Sequence, residues 1–137
     1  MVSDTHLSHR QIIIAWICQV IAALIMVQTL FFKFTAAEES VEIFTRIGME
    51  PWGRIGVGVM ELIASVLICI PSTIWMGAFL AVGLMAGALF FHLAILGISV
   101  RGDGGHLFVL ALTTLVAALI VLFIRKSEIP YINKLKF

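Results

Sequence analysis

Between Gln11 and Phe32 the chain reads QIIIAWICQVIAALIMVQTLFF, 22 residues without a charge. A helix of about 20 apolar residues is long enough to cross a bilayer, and a run of that length is hard to bury in a small water-soluble domain. Three further blocks share the property. Residues 53–70 (GRIGVGVMELIASVLICI) carry Arg54 at one edge and Glu61 inside, while residues 74–100 and 107–124 contain no Asp, Glu, Lys or Arg. Charged residues make up 12% of the 137-residue chain and apolar ones 61%, against roughly 25% charged in an average soluble domain. The expected protein is therefore an integral membrane protein. The first block is too long for a signal-peptide core and is followed at once by Lys33, so it reads as a retained helix.

The connections set the topology. Thr35-Ala36-Ala37-Glu38 has the form of a capping box. The following ESVEIFTRIG places Val41, Phe44 and Ile47 at helical spacing opposite Glu38, Glu39 and Glu42, which suits a short helix lying at the membrane surface. Gly48 can stop that helix, and Pro51 suits the first turn of the next. Pro71 ends the second span and Ser72 or Thr73 can cap the third, making those two antiparallel neighbours. R-G-D-G-G-H forms the last reversal, with His106 placed in the loop, and a polar tail runs from Arg125 to Phe137. The expected fold is all-α: one domain, 1–137, built as an antiparallel four-helix transmembrane bundle. Its helices fall at about 11–34, 52–70, 73–99 and 105–125, with the amphipathic surface helix at about 36–47 between the first two.

Four crossings put both termini on one side. That side holds Arg10, Arg125, Lys126, Lys134 and Lys136, and the other holds Lys33, Arg46, Arg54 and Arg101; the excess of basic residues places the termini in the cytoplasm. A bacterial or archaeal cytoplasmic membrane is the expected location. Cys18 and Cys69 lie inside helices with no C-x-x-C, so a dithiol relay has no local motif and both read as apolar filler, as do Met60, Met76 and Met85. A net charge of +1 with no basic tract argues against a nucleic-acid partner.

Polar residues gather at one depth. Glu61 lies roughly 12 Å below the loop-side surface, His92 roughly 9 Å, Gln28 roughly 7.5 Å, and Thr113 and Thr114 roughly 12–14 Å. In the other half Gln19 is nearly alone. A charged side chain in a bilayer costs about 2.5–3.5 kcal/mol on insertion scales unless it finds partners, so these groups should face inward together. Helical phase agrees: Arg54, Gly58, Glu61, Ser65 and Ile68 form one stripe, and Gly77, Ala81, Met85 and Ala88 lie on the His92 side. Glu61 is expected to hydrogen-bond or ion-pair with His92, with Gln28 and Thr113 nearby and Lys33, Arg54 and Arg101 around the mouth of a polar-bottomed pocket. The competing interpretation is a clasp that only fixes helix register; for Lys33 and Arg54 it is snorkelling to the interface. Gly83 and Gly87 point roughly opposite His92 and offer a second close-packing face, a candidate seam for a homodimer. No metal-ligand cluster is evident.

The run K-F-T … F-T-R-I-G-M-E-P-W-G-R-I-G-V-G-V-M-E-L-I-A-S-V-L-I, with His92 beyond it, resembles the DoxX family of small four-helix membrane proteins. The resemblance spans roughly Gln28 to Arg125 and rests on Lys33, Gly48, Pro51, Glu61, Asp103 and Gly104. Leu30 and Ser65 stand where the family often has glycine. The family takes its name from the small subunit of an archaeal thiosulfate:quinone oxidoreductase; other members are linked to membrane redox complexes and thiol homeostasis, and similar animal proteins assist assembly of ion-channel receptors. The resemblance thus implies a redox-associated subunit whose pocket takes a quinone or polar-headed lipid, with electrons supplied by a membrane or redox partner. A non-enzymatic assembly factor that binds client helices through the Gly83/Gly87 face is the alternative. A small transporter ranks last, because transporters usually build their sites from broken helices in paired repeats. None of the motifs is a catalytic signature, so stand-alone enzymatic activity is not expected.

Overall fold

The computed structural model describes residues 7–129; Lys134 and Lys136 of the sequence argument lie outside them. Helix α1, His9–Phe34, opens on a capping box. The Ser8 hydroxyl accepts from the Gln11 N–H at 3.1 Å, and Gln11 Oε1 accepts from the Ser8 N–H at 2.9 Å. A short helix α2, Glu38–Arg46, follows, then α3, Trp52–Cys69, and α4, Ile74–Phe91. At His92–Leu96 the α4 backbone widens into one π-helical turn before Gly97 ends it. Helix α5, His106–Ile124, leads into a 3-10 turn at Lys126–Glu128. Among the described residues four helices are long and apolar enough to cross a membrane: α1, α3, α4 with its π turn, and α5.

The spans close into a square. α1 packs on α3 and α5, and α4 packs on the same two, which leaves α1 and α4 on a diagonal. Lipid tails are as apolar as the side chains, so burying leucine against leucine gains little in a bilayer; close packing of small residues does more. Ala15, Ala22, Ala64, Ala78, Ala81 and Ala118 are accordingly fully buried. Large residues such as Leu24, Phe31, Phe79, Phe90, Val109 and Phe123 point outward to where lipid lies. Gly77 marks the closest approach: a Cβ there would collide with the Ile68 backbone nitrogen and sit 2.8 Å from the Ala64 carbonyl of α3.

The two ends of the bundle differ. At the terminal end, Gln19 is completely buried; its Nε2 donates to the Ile68 carbonyl at 3.0 Å, one of the acceptors left free in the last turn of α3. Arg125, also buried, donates from Nε to Gln19 Oε1 at 3.1 Å and from Nη1 to Glu128 at 2.8 Å. At the loop end α2 lies across the helix ends, touching α1, α3 and the π turn. Arg46 donates to the Ile95 carbonyl at 3.1 Å, and Arg101 ion-pairs with Glu38 at 2.9 Å and Glu42 at 3.4 Å. Asp103 organises the last reversal: its carboxylate accepts from the N–H groups of Val100 (3.0 Å), Gly105 (2.8 Å) and Leu107 (3.2 Å). Partial burial pushes the Asp103 pKa up, but these backbone donors outweigh it, and the net shift is downward.

Two expectations need correction here. The Thr35/Glu38 capping box does not form: α2 is capped by Ala37 without a side-chain bond, and the Thr35 hydroxyl donates back to the Phe31 carbonyl. α1 runs unbroken through Phe34, so Thr35 is claimed by the helix it ends rather than the one that follows. Likewise, His106 is the first residue of α5 rather than a loop residue.

Candidate functional site

The stripe on α3 is buried as its phase requires, with Arg54, Gly58, Glu61, Ser65 and Ile68 all facing inward. Glu61 thereby enters the bundle, but its neighbour is not His92. Lys33, in the last turn of α1, turns inward and sets its Nζ 3.0 Å from Glu61 Oε1, with side-chain exposures of 15% and 5%. The same ammonium donates to Thr29 Oγ1 at 3.3 Å, one turn earlier on α1. A buried carboxylate gains far more from an opposite full charge than from a neutral imidazole, and Lys33 is long enough to supply it. At 3.0 Å the Lys33 ammonium is both counter-charge and off-line donor to Glu61 Oε1, and no other group among the described residues donates to that oxygen.

Arg54 holds this pair in place from outside it. Its Nε and Nη2 grip the Glu50 carboxylate, with contacts of 2.9, 3.1 and 3.0 Å, and its Nη1 donates to the Lys33 carbonyl. The start of α3 is thereby tied to the end of α1 that carries Lys33. Arg54 is a clamp behind the chamber wall, not a residue of the pocket mouth. Arg101 likewise serves the loop by holding α2.

His92 is committed elsewhere. Widening of the helix sends the Gly97 N–H to the His92 carbonyl at 2.7 Å, and Gly97 adopts a positive φ of 82°. That brings the Gly97 carbonyl 2.9 Å from His92 Nδ1. A carbonyl only accepts, so Nδ1 carries the proton, and Nε2 is the ring nitrogen left to face other groups. Phe108 of α5 packs its ring against the imidazole edge to face, 5.6 Å between centroids.

Glu61, Lys33 and His92 nonetheless share one cavity of about 430 Å³ in the loop-end half of the bundle. Its walls are mainly apolar, from Ile25, Met26, Leu84, Met85, Leu110 and Ala111 among others, and Ser40, Ile43 and Phe44 of α2 close over it. Gln28, Phe32 and Gly83 line it while remaining exposed, so the cavity reaches the lipid-facing surface of the bundle.

Three other placements differ from expectation. Thr113 faces outward and is not on the cavity wall; its neighbour Thr114 is buried and donates to the Leu110 carbonyl at 2.9 Å. The two lie about 100° apart around the helix, so equal depth does not mean equal facing. Gly83 and Gly87 line the same cavity as His92, and a Cβ at either would meet nothing within 4 Å. Within the chain, close packing falls to Gly77 instead. Sequence reasoning also missed the part α2 and His106 play in the wall. For α2 a signal existed, since its apolar face has to be covered by something.

Among the described residues no group of His, Cys, Asp and Glu could hold a metal ion, and Cys18 and Cys69 are free thiols. The site can desolvate an amphiphile's head beside a fixed charge pair and an imidazole. Comparison with protein-family models, with curated proteins and with solved structures finds no match for the chain.

Proposed function

We propose that this is a DoxX-like integral membrane protein, a redox-associated subunit that holds a quinone or a polar-headed lipid in the chamber beside Glu61 and Lys33. One observation carries this: an apolar-walled cavity of about 430 Å³, open to the bilayer side, ends on the buried Lys33–Glu61 pair, whose carboxylate oxygen meets no other donor among the described residues. The volume lies within the roughly 300–1,000 Å³ typical of small-molecule pockets, and apolar walls with a few convergent polar groups are their usual lining. The chain's own residues would bind and orient the head and keep water from it; electrons would pass between the bound molecule and a partner protein. We place it in a bacterial or archaeal cytoplasmic membrane with both termini inside, following the bias of basic residues.

The scaffold alternative would use the Gly83/Gly87 face, which lines the cavity while Gly83 stays exposed. Purification from native membranes in a mild detergent, followed by native mass spectrometry, tests the proposal. A bound quinone or lipid that survives washing, and is depleted in Glu61→Gln, is the expected outcome. A bundle that retains nothing and ignores added quinones and lipids would remove the basis for it.

A further inference from the structure

The hydrogen-bonding inventory of the chamber narrows what it can take, given that it binds an amphiphile at all. Glu61 Oε1 is buried and met by the Lys33 ammonium alone among the described residues, which leaves it a lone pair for a further donor. His92 Nδ1 is occupied by the Gly97 carbonyl, so only Nε2 is open to a ligand. Lys33 directs its ammonium at Thr29 and Glu61, so its charge is already answered. Glu39 of α2 adds a carboxylate to the same wall. An anionic head would therefore meet two carboxylates and one ammonium already paired. A hydroxyl suits the site: it brings no negative charge, it donates to Glu61 Oε1, and its oxygen can accept from Lys33.

We infer that the chamber selects an uncharged amphiphile whose head carries a hydrogen-bond-donating hydroxyl, over its ether and its phosphate counterparts. The inference rests on the proposed lipid- or quinone-binding role and specifies its ligand class. Glycerol-type and hydroquinone-type heads both have this chemistry, and matched probes separate the two sources.

The test uses the full chain in phosphatidylcholine nanodiscs, with ligand retention read by native mass spectrometry. The probes are dodecyl glycerol ether, its dimethylated form, dodecyl phosphate, and decylubiquinol against decylubiquinone. Retention of dodecyl glycerol or decylubiquinol is expected, with the dimethylated or oxidised counterpart held roughly tenfold more weakly, the scale of one hydrogen bond to a charged group. Whichever of the two hydroxylated probes dominates identifies the source. Glu61→Gln leaves Lys33 without its counter-charge, so that variant should move its preference to dodecyl phosphate. Equal retention of the methylated probe, or a wild-type preference for the phosphate, overturns hydroxyl selection but leaves amphiphile binding intact. Retention of no probe overturns both. Should Glu61→Gln fail to fold, the wild-type comparison of hydroxyl with methyl ether decides alone.

Discussion

Lys33 and Glu61 face each other across the α1–α3 seam with little water around either, and that fixes what single substitutions do. Removing one ion strands the other in a low-dielectric setting. Loss of one partner of a fully buried pair costs about 3–5 kcal/mol, and somewhat less is expected here because Lys33 keeps 15% of its side chain exposed. Lys33→Met and Glu61→Gln should each lower the midpoint of thermal unfolding in detergent, and the double variant should recover much of the loss. Additive losses in that double-mutant cycle would show that the two charges do not interact. The partnership was not legible in the sequence. Lys33 sits at a helix end, where a lysine ordinarily extends to the interface, and only the tertiary arrangement shows its side chain turned inward. Depth, by contrast, could be counted from the chain. Direction could be counted only where a stripe repeated, as from Arg54 through Glu61 to Ile68, and not for the adjacent pair Thr113 and Thr114.

Helices and their connections respond differently to change. The spans were legible because uncharged length is a property of the chain alone; the π turn was not, since nothing in HLAIL marks it. Two positions test the element-level account. At Gly77 a methyl group would strike the backbone of α3, which has no rotamer to relax into, so Gly77→Ala should destabilise the bundle by about 1–3 kcal/mol in denaturant titration. Gly87→Ala, where a Cβ meets open space, should leave the midpoint unchanged. In the Gly97–Gly105 reversal, Asp103 is held below its ordinary pKa by the backbone donors it accepts from. A carboxylate depressed in the folded state adds stability above its unfolded value, about 3.9, and that contribution disappears as pH falls through the lowered folded value. Asp103→Asn should therefore be less stable than wild type at neutral pH, and the gap should close under acid. A gap that persists at the acid end would mean that the charge of Asp103 contributes nothing.

Across the whole molecule, order is uneven. Alanines, Ile68, Ile74 and Val121 fill the terminal half to zero exposure, whereas the loop-end half encloses the cavity beneath α2. Amide exchange in nanodiscs should be slowest around Gln19, Ile68 and Ala118 and faster in α2 and the His92–Leu96 turn; uniform protection would contradict this division. Gln19 supplies the last consequence. Both ends of its amide are engaged, one by Ile68 and one by Arg125, among residues of zero exposure. On the proposed role, a molecule settled beside Glu61 would meet this filled half as a floor and depart by the opening through which it arrived. The bundle would then work as a cup and not as a conduit.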